Sequence, residues 1–130
     1  MTIVITYGTF DLFHIGHLRI LQRAKQLGNK LYVGISSDEF NTLKKKQSIF
    51  PYTQRAEIVK AIKYVDDVFA EQSWDQKKED ILRLKASLLV MGDDWVGRFD
   101  QYNKYCQVKY LPRTKNISTT LIKQKFKKYS

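Results

Sequence analysis

The chain has 130 residues, 43% of them hydrophobic, and carries 23 Lys and Arg against 13 Asp and Glu, a formal net charge of +10. That length leads us to expect one compact domain, residues 1–130, with a real hydrophobic core. No apolar run approaches the roughly 18 residues of a membrane span, and no basic region precedes a long apolar core at the N-terminus, so neither stable membrane insertion nor a signal peptide is expected.

In chain order, Ile3-Val4-Ile5-Thr6 is the kind of β-branched run that makes a buried strand. Residues 7–17, YGTFDLFHIGH, follow it and lead into a helical pattern with Leu18, Leu21 and Ala24 on one face, stopped by Gly28. Gly8 is expected to let the chain leave the strand sharply, and Gly16 to clear space for a ligand at the first helical turn. A second strand is read at 31–35, followed by the basic run Lys44-Lys45-Lys46 and Pro51. A helix comes next, with Thr53 as its cap and Ala56, Val59, Ile62 and Lys63 at helical spacing. Residues 67–70 form a short strand. Ser73 and Gln76 match a capping box, opening a helix with Ile81, Leu82 and Leu84 turned inward. Residues 88–91 are a fourth strand, ended by Gly92-Asp93-Asp94-Trp95, and 108–111 are a fifth. Cys106, the only cysteine, lies just before that strand with no histidine near it in sequence. It reads as structural, and a reducing cytoplasm is the expected compartment. Pro112-Arg113 then leads through a polar loop to a basic helix capped by Ser118, Thr119 or Thr120.

Strands and helices thus alternate, and the strands are nearly continuous apolar runs. This predicts an α/β, Rossmann-like, doubly wound open sheet of about five parallel strands flanked by helices. Right-handed crossovers place the strand C-termini on one edge. Residues 7–17, 36–46, 92–95 and 113–120 should therefore meet at one rim.

The groups gathered there suit an anion. His14 and His17, the only histidines, share a face at a helix start. Arg113 can fork onto phosphate oxygens. Ser118, Thr119 and Thr120 offer hydroxyls and amides at a helix start. Neither a Walker loop nor a G-x-G-x-x-G fingerprint occurs. Two histidines without a third ligand cannot fill a zinc site, and no G-x-S-x-G elbow presents a serine nucleophile. After Asp100 there is no acidic residue, while eight Lys and Arg follow (Lys104, Lys109, Arg113, Lys115, Lys123, Lys125, Lys127 and Lys128). The excess points to an anionic partner: nucleic acid, an anionic surface or a polyphosphate substrate. The terminal cluster from Lys123 onward reads as a solvated face. No reader motif or interleaved aromatic stripe supports nucleic acid.

Gly8-Thr9-Phe10-Asp11 with His14-Ile15-Gly16-His17 resembles the first signature of the cytidylyltransferase branch of the HIGH-motif nucleotidyltransferases. Residues 113–120, RTKNISTT, resemble their second signature, R-T-x-G-I-S-T-T. The likeness covers the whole chain and is nearest to the short members that act on glycerol 3-phosphate. It implies transfer of CMP from CTP to sn-glycerol 3-phosphate, with Mg²⁺ on the phosphates, in a cytoplasmic homodimer supplying CDP-glycerol for teichoic-acid-type or capsular polymers. No nucleic-acid partner is implied. Another alcohol phosphate, such as phosphocholine or phosphoethanolamine, is the alternative acceptor, and a basic nucleic-acid-binding module is the alternative of another class.

Carried over by position, the resemblance makes His14, His17, Lys46 and Arg113 catalytic. CTP falls to Thr9, Phe10, Asp11, His14, Gly16, His17, Lys46, Gly92, Asp94, Trp95, Arg113, Thr114, Ile117, Ser118, Thr119 and Thr120. Glycerol phosphate falls to Lys44 and Lys77, with Arg55 and Lys63 as further anion contacts, and no side chain is assigned to metal. Lys44 and Lys46 are thereby taken out of the solvated charge run, and Lys45 stays in it. Two positions depart from the pattern: Asn116 stands for Gly, and Lys63 for Arg. Asn is the non-glycine residue best able to take positive φ, whereas Lys keeps the charge of Arg without its planar fork.

Overall fold

The computed structural model describes residues 1–115 and 117–129, with side chains through residue 127; Asn116 and its predicted turn lie outside the described residues. Five strands form one sheet: β1 (Ile3–Gly8), β2 (Lys30–Ser36), β3 (Asp67–Glu71), β4 (Leu88–Gly92) and β5 (Gln107–Leu111). Their order is β3-β2-β1-β4-β5, and every pairing is parallel. The sheet is the one predicted.

Successive β1 residues serve opposite faces because side chains alternate across a strand. Val4 packs on one face with Leu31, Leu88, Val90, Leu21 and Ala24 from α1 (Ile15–Gln26), and Val59 from α3 (Tyr52–Lys60). Ile5 and Tyr7 pack on the other face with Leu89, Met91, Ile81 from α4 (Lys77–Leu84), and Phe99 and Tyr102 from the segment before β5. The chain winds from β1 out to β3, then crosses to β4 on the other side of β1. A crevice therefore opens beyond the C-terminal ends of β1 and β4.

Several local expectations are corrected. Residues 38–43 form a short helix, α2 (Asp38–Leu43), where no element was read. It is too short for periodicity, yet Ser37 caps it by accepting from Phe40 N at 3.0 Å. Thr53 does not cap α3. The Asp38 carboxylate does so from α2, accepting from Tyr52 N at 3.1 Å through both oxygens, and that bond, ahead of Arg55, lowers its pKa. Ile62 and Lys63 lie beyond the end of α3. Half of the Ser73/Gln76 box forms, with Gln76 Oε1 accepting from Ser73 N at 3.1 Å, but α4 starts only at Lys77 and Leu82 is 56% exposed. The last helix, α5 (Thr119–Tyr129), uses Ser118 of the three offered caps, its Oγ accepting from Leu121 N at 3.1 Å.

Candidate active site

One cleft of about 420 Å³ opens at that crevice. The four predicted segments all reach it, through Thr9, Phe10, His14 and His17, through Lys44 and Lys46, through Gly92, Asp94 and Trp95, and through Arg113, Thr114, Ile117, Ser118, Thr119 and Thr120. A fifth wall, from the end of β3 to the start of α4, brings Glu71, Trp74 and Lys77. Glu71 and Trp74 were missed, although the rule that gathers strand ends applies equally to β3.

His14 is the N-cap of α1, and the two histidines complete a capping box. His14 Nδ1 accepts from Gly16 N at 3.0 Å, and His17 Nδ1 accepts from His14 N at 3.2 Å. Both Nδ1 atoms are thus acceptors, and the proton of each neutral ring resides on Nε2. The rings stack at 3.8 Å, and His17 is flanked by Phe10 and Phe13, each at 5.3 Å. Burial, then the neighbouring His14 and Arg113, push His17 down to about 3. Burial, then Arg113, lowers His14. The pair therefore presents two neutral N–H donors at neutral pH.

Gly8 and Gly16 serve closer packing than expected. A Cβ on Gly8 would lie 2.8 Å from the Phe10 ring, and one on Gly16 would lie 2.8 Å from the His14 ring and 3.3 Å from Ile117 Cγ2. Gly16 thus clears space for protein atoms, and Ile117 brings the second signature onto the first. Thr119 Oγ1 reinforces that contact by donating to Asp11 O at 2.8 Å.

Phe10 and Leu12 hold positive φ, 55° and 49°, a conformation costing about 1–2 kcal/mol in a non-glycine residue. Between them, Asp11 is turned inward and is 3% exposed. It lines the cleft, but its carboxylate accepts from Ile49 N at 2.7 Å and Phe50 N at 3.0 Å. Asp11 thus clamps the 44–50 loop. Lys123 departs from the solvated reading: its Nζ donates to Gln47 O at 3.0 Å, lies 3.7 Å from Asp11 Oδ2, and lines the cleft.

Arg55 is also corrected. It is fully buried, its Nε donating to Phe50 O at 2.9 Å, Nη1 to Thr9 O at 2.8 Å and Nη2 to Asp38 Oδ1 at 2.8 Å. With its donors engaged by the protein it is off the cleft wall and supports the Thr9 loop. Lys63 is exposed over the Tyr64 ring, also off the wall.

Lys45 holds φ 59° and is exposed, and this left-handed kink sets Lys44 and Lys46 on the cleft. Lys44 Nζ donates to Ser36 Oγ at 2.7 Å, and burial lowers it to about 8 against the pull of Glu71. Lys77 is 1% exposed and donates to Glu71 Oε2 at 2.7 Å. On the opposite wall Arg113 Nη2 donates to Asp94 Oδ2 at 2.9 Å. Thr114 Oγ1 is shielded there without a hydrogen-bond partner among the described residues, and Trp95 packs between Trp74 and Phe99 at 6.0 and 5.5 Å. Cys106 is a half-buried free thiol raised by burial, consistent with a structural role.

Such a cleft, with paired neutral donors, cations on facing walls and a helix start, is built for phosphates. The family model described as cytidylyltransferase-like matches residues 5–125. The chain is 54% identical to the glycerol-3-phosphate cytidylyltransferase of Bacillus subtilis strain 168, over 93% of this chain and 94% of that protein. It is 49% identical to that of Staphylococcus aureus strain NCTC 8325 / PS 47, over 93% and 92%. A lipopolysaccharide core biosynthesis protein from Thermoplasma volcanium shares the fold, with TM-score 0.75 at 24% identity over 90% of this chain and 99% of that one. The chain belongs to the cytidylyltransferase-like family, among the glycerol-3-phosphate cytidylyltransferases.

Proposed function

We propose that the cleft transfers CMP from CTP to sn-glycerol 3-phosphate, releasing pyrophosphate and forming CDP-glycerol. The observation that carries this reading is the meeting of both family signatures across one cleft, Ile117 against Gly16 and Thr119 on Asp11.

An acceptor phosphate oxygen attacks the α-phosphorus of CTP, and the bond to the pyrophosphate oxygen breaks. The acceptor is already ionised at neutral pH, so no strong base is needed. The protein's work is to align two polyanions and offset charge growing on the transferred and leaving phosphates. His14 and His17 donate from Nε2. Lys46 and Arg113 supply positive charge from facing walls, and the start of α5 supplies amides and hydroxyls. Asp94 gives up Arg113 when phosphate oxygens arrive. Lys44 and Lys77 hold the acceptor phosphate.

Among the described residues no three His, Cys, Asp or Glu side chains converge on a metal position. This donor set fits a Mg²⁺ carried on the nucleotide's own phosphates, the binding mode common for that ion, where it would supply charge neutralisation. We further propose a cytoplasmic homodimer feeding a pathway that builds a glycerol-phosphate polymer. No helix among the described residues is long and apolar enough to cross a membrane.

The test is pyrophosphate release with CTP or ATP against a panel of phosphate monoesters. Release requiring both CTP and glycerol 3-phosphate supports the reading. Release with phosphocholine or phosphoethanolamine alone reassigns the acceptor, and salt-sensitive nucleic-acid binding without turnover replaces the reaction.

A further inference from the structure

At the end of the cleft beyond β2 and β3, Lys77 is held in a way that charge neutralisation alone does not require. Its Nζ lies 2.7 Å from Glu71 Oε2, 4.3 Å from the Tyr7 ring centroid, 5.0 Å from Phe99 and 5.5 Å from Trp74. One carboxylate inside three aromatic faces is receptor chemistry for an alkylammonium ion. The receptor is filled by the chain's own ammonium. Its walls are fixed from behind. Tyr7 OH donates to Asp80 Oδ2 at 2.7 Å, and Gln76 Nε2 donates to the same oxygen at 3.0 Å. Gly34 leaves room for the Tyr7 ring, which a Cβ there would strike. A second ammonium stands beside it. Lys44 Nζ lies 4.6 Å from the Phe40 ring centroid and 5.7 Å from Trp74. Ser36 links it to Glu71, its Oγ accepting from Lys44 Nζ and donating to Glu71 Oε1 at 3.2 Å. Two ammoniums thus face one carboxylate.

We propose that Lys77 is a built-in occupant of an ammonium cage and that this occupancy determines acceptor selectivity. A phosphate monoester with an uncharged tail meets two cations and is held. One with an ammonium tail brings a third cation to a cage already full. The inference rests on the acceptor binding at this end of the cleft, as the proposed function has it.

The test is binding, read by tryptophan fluorescence and thermal shift with tetramethylammonium as the probe. Lys77→Ala should bind it roughly tenfold or more tightly than the wild type, the scale of one cation–π contact removed from water. The double variant Glu71→Gln/Lys77→Ala removes both members of the Lys77–Glu71 ion pair and keeps the aromatic faces. It should bind more weakly than the single variant and still better than the wild type. Folded variants that bind no better than the wild type overturn the cage. Should both variants unfold, the wild type decides: kcat/KM for phosphocholine within tenfold of that for glycerol 3-phosphate overturns the selectivity. Absence of turnover with every acceptor counts against the reaction proposed above and leaves the binding comparison to judge the cage.

Discussion

His14 and His17 are held as donors, with their acceptor nitrogens spent on the backbone. Removing one preorganised donor of this type costs about 10²–10³ in rate, so His14→Ala or His17→Ala should lower kcat by that factor with little change in CTP affinity. Turnover near the wild-type rate in both would sink the role. Because folded His17 sits near 3, it stays neutral through the physiological range. Phosphate monoesters themselves titrate at about pH 6, so the acid limb of the rate should follow the substrates alone and be the same in His17→Asn as in the wild type. An additional limb that His17→Asn removes would contradict a neutral His17. The stability linkage has a definite sign. Below about pH 6.5 the unfolded chain binds a proton that folded His17 refuses, so its contribution is full above that pH and is lost as pH falls toward 3. His17→Asn keeps an acceptor for His14 N without titrating. Its melting temperature should fall less than the wild type's between pH 7 and 5. Lys44, lowered to about 8 by burial, should impose the opposite limb, with kcat/KM for the acceptor falling above pH 8 as its ammonium is lost. In sequence, His14 and His17 stand out through the first signature, and Lys44 only through position in the whole-chain resemblance. Arg55 was misread, because a buried arginine and a phosphate-binding arginine look alike in sequence. Only packing shows that its fork is closed on Phe50, Thr9 and Asp38.

At the scale of elements, the turn from β1 to α1 is held by its neighbours. Asp11 reaches the 49–50 amides, Arg55 ties α3 to Thr9, and Lys123 of α5 reaches Gln47. Arg55→Leu would strip donors from the Thr9 and Phe50 carbonyls and leave Asp38 only its bond from Tyr52 N. Each unsatisfied buried group costs about 1–3 kcal/mol, so we expect a loss of roughly 2–4 kcal/mol in chemical denaturation. Arg55→Lys should recover only part, since an ammonium cannot span three directions. Unchanged stability in Arg55→Leu would show that this support is dispensable. Elements with a long apolar run were legible, and all five strands were found. α2 was not, since six residues give no period to read, and neither was the cap of α3, which comes from Asp38 fourteen positions upstream of Tyr52.

For the molecule as a whole, parallel topology made the site legible. Once the strand ends share an edge, 7–17 and 113–120 must face each other. The end of β3 reaches that edge as well, and Glu71 and Trp74 stand there without belonging to any motif visible in sequence. The basic excess is partly focused on the cleft, where Lys44, Lys46, Lys77, Arg113 and Lys123 all stand. Raising ionic strength should therefore raise KM for both substrates, most for CTP, while kcat changes less. A salt-independent KM would detach that charge from substrate capture. The central claim is CMP transfer to glycerol 3-phosphate by the neutral histidine pair. Its most direct test is phosphorus NMR of the wild type and His14→Ala with CTP, glycerol 3-phosphate and Mg²⁺. We predict CDP-glycerol and pyrophosphate in equal amounts from the wild type, and their appearance slowed by about a hundredfold or more in the variant. No CDP-glycerol from the wild type, or equal rates from both, would contradict the account.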